Sequence, residues 1–310
     1  MKIAISGASG PFGSATAQGL LDRGIKPGQL ILLSRHPAQL QHFADLGAEA
    51  RYGDFDDYDS LVKALAGADR MLMISTNRVG QREPQHTNAV RAAVAAGVKH
   101  VFYTSFVGTP ETVSLAVHDH RFTENLLRES GLNWTFLRNS QYTEAMRDAG
   151  FPIAIKDGRW FSASGEGRIA MVTREDCIKA AVAALATPGH ENRKYDITGP
   201  ELVSYQDLAA LASELSGRDI AFVSVDEAAR YAMFDAIGVP RSAKDDHVVN
   251  GFGWCSDDMV SFETTIRLGG FAVISDDIEL LTGHKPESVR SFLSRSKDLF
   301  RAIAAESNGT

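Results

Sequence analysis

Residues Lys2–Gly13 read KIAISGASGPFG, and their reading decides the fold. Ile3, Ala4 and Ile5 form a short apolar run suited to a strand covered on both faces. Gly7, Gly10 and Gly13 follow as G-x-x-G-x-x-G, and the small residues Ser14, Ala15 and Ala17 open a helical pattern. A strand that feeds a glycine turn at a helix start is the setting for a dinucleotide pyrophosphate. Glycine lets the backbone approach the phosphates, whose charge suits the free N–H groups of the first helical turn. The same spacing also occurs in plain turns. What favours dinucleotide binding here is its place at the head of an alternating strand and helix pattern.

Working outward, Leu30–Leu33 is a second buried-strand candidate, ended by Ser34 and Arg35 about twenty residues beyond the turn, where such folds meet the adenosine ribose. An acid there would accept from a 2′-hydroxyl; a small Ser followed by Arg suits a 2′-phosphate, onto which the guanidinium can fork. The plain alternative is a surface Arg beside His36-Pro37. Ala48–Tyr52 reads as the third strand, leading to Asp54 and Phe55. Asp54 can meet the adenine amino group with Phe55 as a flat wall, or serve as a turn residue ahead of the helix that Asp57 caps. Met71–Ile74 is the fourth strand, with Ser75, Thr76 and Arg78 at its carboxyl end, where open α/β sheets bind ligands. Val101–Thr104 and Trp134–Leu137 are the fifth and sixth strands, with a helix over Asp119–Ser130 between them.

The expected fold is α/β, a doubly wound parallel sheet of Rossmann type with a smaller, mostly helical C-terminal lobe. Residues 1–150 are read as the dinucleotide domain and 151–310 mainly as the substrate lobe, with a strand near 195–198 returning to the sheet. Thr173-x-x-Asp176 predicts a capping box, and helical stripes run over Leu208–Leu215, Glu227–Ile237 and Asp258–Leu268. A last helix is expected from Pro286, with Val289, Phe292, Leu293, Leu299, Phe300 and Ile303 on one face. The tail Glu306–Thr310 reads as frayed.

At 310 residues the chain can bury a sizeable core. Net charge is −7 and the isoelectric point about 5.7, with no run of Lys or Arg, which argues against nucleic-acid binding. Two cysteines, Cys177 and Cys255, cannot build a disulfide framework or a metal cluster. Neither a signal peptide nor an apolar run of about 18 residues is found, so a cytoplasmic protein away from membranes is expected. The expected partner is a small-molecule acceptor, with a homodimer as an option.

Catalytic templates are mostly missing. None of the seven tyrosines stands in Tyr-x-x-x-Lys, the pair in which lysine lowers the tyrosine pKa for proton transfer. Nucleophile-elbow, zinc-pair and P-loop motifs are absent too. His120, Thr123 and Glu124 share one helical face beside the expected end of the fifth strand, with Thr104 and Ser105. His120 is either a general acid/base or a helix-surface His beside a capping cluster.

Seven stretches carry a resemblance: Gly7–Gly13, Leu33-Ser34-Arg35, Gly80-Gln81-Arg82, Pro84-Gln85-His86, Tyr103-Thr104-Ser105, His120-x-x-Thr123-Glu124 and Phe136-Leu137-Arg138-Asn139. In order and content they resemble NmrA-like atypical short-chain dehydrogenases, nearest the NADPH:quinone oxidoreductase and triphenylmethane reductase branches. The likeness runs to about residue 215, fades through 240–270 and returns at Thr282–Pro286. It implies NADP(H), with Gly7, Ser9, Gly10, Pro11 and Phe12 at the pyrophosphate and Arg35 at the 2′-phosphate. It puts Ser75, Thr76 and Arg78 along the ribose and nicotinamide, and Thr104 and Ser105 beneath the ring. Phe106, Asn139, Tyr142 and Phe161 would line a substrate cleft, and no metal is implied. His120 stands where related aryl-ether-type reductases carry a catalytic Lys. The chain departs from the quinone branch at Pro11, where that branch usually has Gln. The activity implied is hydride transfer to a quinone-like or other electron-poor aromatic acceptor. Alternatives are a dinucleotide-sensing regulator without catalysis and a carbonyl or enone reductase using His120.

Overall fold

The structure, a computed structural model, describes residues 1–244 and 255–307. Part of the 240–270 stretch and the last residues of the tail therefore lie outside the described residues. The chain divides into two compact units. The first is Met1–Phe106, Asp119–Arg138 and Cys177–Tyr195; the second is Val107–His118, Asn139–Asp176 and Asp196–Thr310.

The elements begin β1 (Ile3–Ile5), α1 (Pro11–Asp22), β2 (Leu30–Ser34), α2 (Gln41–Asp45), β3 (Glu49–Tyr52) and α3 (Tyr58–Leu65). They continue β4 (Arg70–Met73), α4 (Glu83–Ala95), β5 (His100–Phe106), α5 (Leu115–Glu129) and β6 (Asn133–Asn139). Then come α6 (Phe151–Asp157), β7 (Arg159–Ser162), β8 (Arg168–Ile169), α7 (Arg174–Ala186), β9 (Arg193–Ile197) and β10 (Val203–Ser204). The chain closes with α8 (Tyr205–Ser216), β11 (Ala221–Ser224), α9 (Glu227–Ala236), α10 (Ser256–Arg267), α11 (Asp277–Thr282), α12 (Val289–Ser294) and α13 (Lys297–Ser307).

Seven strands form one sheet in the order β3-β2-β1-β4-β5-β6-β9, and the pairs β1–β2, β1–β4, β2–β3 and β4–β5 are parallel. The order reverses between β1 and β4, the switch point outside which a doubly wound sheet takes its ligand. Every residue of β1 and β2 is buried, because helices cover both faces. On one face Leu61, Leu65, Val90 and Leu127 pack with Ile31, Met71 and Phe136. On the other, Gly19 of α1 lies so close to α7 that a Cβ there would stand 2.8 Å from a Val182 methyl. The expected return strand is β9, beside β6.

In the second unit β7 pairs with β11 in parallel and β8 with β10 antiparallel. Buried Glu263 on α10 accepts from the Ala163 amide (2.7 Å) and from Arg230 Nε of α9 (3.1 Å). Three expectations need correction. The final helix is broken in two: the turn tightens at Arg295–Ser296, where amides reach back three residues to Phe292 and Leu293, and Ser288 rather than Pro286 marks its start as a cap. The break turns Leu299 outward to 50% exposure while Phe300 stays buried. The capping box at Thr173 is half formed, since Asp176 Oδ2 accepts from the Glu287 amide. The helix expected over Asp119–Ser130 starts earlier, at Leu115.

Candidate dinucleotide site

Gly7 sits at φ +59°, a left-handed conformation that a side chain resists, and turns the chain out of β1. Gly13 is needed for space: a Cβ there would stand 2.5 Å from the Gly7 carbonyl oxygen and 2.8 Å from Ala8 Cα. The helix is thereby pressed onto the turn, with its first N–H groups at the carboxyl end of β1. Those of Phe12 and Gly13 lie in the turn that no intrahelical acceptor serves, and α1 has neither a side-chain cap nor an acid there. Pro11 stands at the first helical position and contributes no N–H, the place where its fixed φ suits a helix best. A phosphate fits this end by charge and by donor supply.

Ser9 and Ser34 share a hydrogen bond of 2.8 Å, and Ser34 Oγ also accepts from the His36 amide (2.9 Å). These contacts tie the glycine turn to the end of β2, where Arg35 is exposed and has no ion pair among the described residues. An open cationic fork beside an uncapped helix start fits a phosphorylated ribose. Asp54 Oδ1 accepts from the Asp56 amide (3.1 Å), which makes it a turn residue in this structure, while Asp57 caps α3 through the Ser60 amide. Phe55 packs edge-on against the His86 ring at 6.2 Å. Arg78 donates to Asp56 at 3.0 Å.

Beyond β4, side chains of neighbouring elements hold the backbone. The Ser75 amide donates to Thr104 Oγ1 (2.9 Å) and the Thr76 amide to His86 Nε2 (3.2 Å). A backbone amide only donates, so His86 is the neutral tautomer with its proton on Nδ1, which meets Thr123 Oγ1 at 2.7 Å. Burial, with the Arg82 charge nearby, pushes its pKa down to about 3.

His120 is buried too. Arg82 Nη1 lies 3.0 Å from its Nε2, and Tyr103 Oη lies 2.7 Å from its Nδ1. Arginine only donates, so Nε2 is the acceptor and the imidazole is neutral. Burial first, then the Arg82 charge, holds its pKa well below the usual value. Burial raises the Tyr103 phenol. Arg82 is itself buried, with Asp119 3.9 Å from its Nε, and Asp119 also accepts from the Gly80 amide at 2.6 Å. Glu124 accepts from Ser105 Oγ (2.7 Å), Arg128 and Arg138, so its carboxylate is fully engaged. Thr104, Ser105 and Phe106 are the last three residues of β5, and the Phe106 ring stacks obliquely on His120 at 6.1 Å.

In the second unit Asn139 Nδ2 donates to Tyr142 Oη (3.1 Å), leaving the buried Asn139 Oδ1 unpartnered. Phe161 lies on β7, half-buried, opposite Val223. Arg82, His86, Tyr103 and Asp119 were not singled out as site residues by the sequence. The signal for the first three was the motifs Gly80–Arg82, Pro84–His86 and Tyr103–Ser105, whose members meet only in three dimensions, and Asp119 had none. No group of residues able to hold a metal is present among the described residues.

Residues 7–188 match the model of a family described as NAD(P)H-binding. The chain belongs to that family. Within it, this NAD(P)H-binding oxidoreductase is 35% identical over 243 residues to quinone oxidoreductase 2 of Escherichia coli (strain K12), covering 78% of this chain and 84% of that protein. Its fold matches an NADPH complex of an NADPH-dependent quinone oxidoreductase from Escherichia coli with a TM-score of 0.85 and 31% identity, over 94% of this chain and 99% of that one. The NADP(H) complex of triphenylmethane reductase from Citrobacter sp. matches with a TM-score of 0.82 and 29% identity, over 95% and 100%. The kinship read from the sequence motifs therefore holds. Among the described residues no helix is long and apolar enough to cross a membrane.

Proposed function

We propose that this protein uses NADPH to reduce a quinone-like or other electron-poor aromatic acceptor by direct hydride transfer. The observation that carries the reading is that the titratable groups gathered at β4 and β5 have no proton ready to give. His120 is neutral, with both ring nitrogens engaged inside the protein, and the Tyr103 phenol is buried against it. A quinone takes hydride without a protein acid, because solvent protonates the hydroquinone anion afterwards, and a cationic dye becomes neutral on taking hydride and needs no proton. A simple ketone needs a proton as its alkoxide forms. This favours the quinone-like reading over carbonyl reduction through His120, which we place instead as a wall residue behind Phe106.

When bound, the reduced nicotinamide supplies the hydride. In this reading Ser9 and the Phe12 and Gly13 amides hold the pyrophosphate, Arg35 the 2′-phosphate, and Ser75, Thr76, Arg78, Thr104 and Ser105 the ribose and nicotinamide side. The rest of the work is positioning and exclusion of water. Acceptor contacts by Phe106, Asn139, Tyr142 and Phe161 belong to the same proposal. The relatives support it, one reported as a quinone reductase and another as acting on triphenylmethane dyes. A spectrophotometric assay of NADPH oxidation with a panel of quinones and a triphenylmethane dye tests it. Turnover with at least one acceptor is expected. Tight NADPH binding with no turnover on any acceptor would sink the proposal and favour a sensing role.

A further inference from the structure

His86 sits where α4, β5, α5 and the segment after β4 converge, and it is wholly buried. The Thr123 hydroxyl donates to the Asp119 carbonyl at 2.9 Å, so what it turns to His86 Nδ1 is a lone pair. Nδ1 therefore carries the imidazole proton, and Nε2 is left as an acceptor facing the Thr76 amide. The backbone pairing of β4 with β5 ends at Met73 and Tyr103. Past that point the Ser75 and Thr76 amides are held by the Thr104 hydroxyl and the His86 ring. An edge-on Tyr103 ring at 5.7 Å and Phe55 at 6.2 Å fix the plane of the imidazole.

We propose that His86 is a positioning residue whose Nε2 lone pair fixes the Thr76 amide, and through it the segment Ser75–Arg78 against which the nicotinamide side of the cofactor binds. The proposal rests on the dinucleotide reading of the site. Its distinctive feature is direction. The hydroxyl of Thr123 sets the tautomer, the tautomer creates the acceptor, and the acceptor holds a loop backbone at the sheet's ligand end. Loss of ring packing alone would not depend on which ring nitrogen is reproduced.

His86→Gln and His86→Asn separate the two cases, because a Gln amide oxygen can stand where Nε2 stood while the shorter Asn cannot reach it. We expect His86→Asn to speed hydrogen–deuterium exchange in residues 75–78 and to weaken NADP+ about tenfold by calorimetry. KM for NADPH should rise more than kcat falls, and His86→Gln should stay within about threefold of wild type in every measurement. Equal behaviour of the two variants, or unchanged exchange at 75–78 in His86→Asn, would overturn the proposal. Should His86→Asn fail to fold, Thr123→Val removes the group that sets the tautomer. It should weaken NADP+ about threefold, and unchanged binding would overturn the proposal. If the wild-type protein binds neither NADP+ nor NADPH, the dinucleotide reading falls with the cofactor half of the proposal. The exchange comparison still decides the contact between His86 and Thr76.

Discussion

Two regions at the same end of the main sheet are built on opposite plans. At the start of α1 the donors are backbone amides left without side-chain partners, and Arg35 lies open beside them. Around His86 and His120 the polar groups are side chains that bond one another and the Thr76 amide, both rings are buried, and their nitrogens are engaged within the protein. The first region leaves donors and a positive charge open, as a phosphate site requires. The second is closed to proton exchange and shapes the loop and strand around it. On the function proposed above, the first would hold the cofactor and the second would frame it without giving a proton.

The comparison breaks most sharply at Gly13. Gly13→Val pushes a side chain into the Gly7 carbonyl, and NADPH affinity measured by calorimetry should fall at least about a hundredfold, roughly 2.7 kcal/mol. A wild-type affinity in a folded Gly13→Val protein would show that α1 does not form the phosphate site.

Acid should attack the closed region first. The folded-state pKa of His86 lies below its unfolded value near 6.5, so its neutral burial is no handicap above pH 6.5. Stability is then lost as pH falls from about 6.5 toward 3, because the unfolded chain takes up the proton and the folded one does not. By pH 5 this single ring should cost about 2 kcal/mol in urea unfolding, and His86→Gln should remove much of that cost. A flat stability profile between neutrality and pH 5 would contradict the buried neutral tautomer.

The open region can be sharpened by Arg35→Ala. It should weaken NADPH about ten- to a hundredfold and leave NADH nearly unchanged, and equal losses would refute the 2′-phosphate assignment. The smallest expected effect is that of Ser9→Ala, about threefold on NADPH, because the Ser9 hydroxyl already shares a bond with Ser34.

The same contrast explains what the sequence disclosed. The glycine turn is one continuous stretch whose meaning lies in backbone conformation, so Gly7, Gly10 and Gly13 announce it without a third dimension. The buried runs Ile3–Ile5 and Leu30–Leu33 were readable because a doubly covered parallel sheet leaves no polar alternation. The histidine region draws on residues 76, 82, 86, 103, 119, 120 and 123, and apart from the helical spacing within 119–123 no spacing rule connects them. His120 could be seen as chemically interesting, but its pairing with Arg82 and Tyr103 is a property of the packed core. The broken last helix was hidden for a related reason. Periodicity over Val289–Ile303 is satisfied by one helix or two, and only the tightened turn at Arg295–Ser296 decides.

The central claim is hydride transfer without a protein proton donor, and the pH dependence of quinone reduction tests it most directly. With NADPH saturating, kcat for a good quinone acceptor should be level from about pH 6.5 to 8.5, and His120→Asn should leave that shape unchanged. A limb in that range that disappears in His120→Asn would contradict the account and return His120 to the role of proton donor.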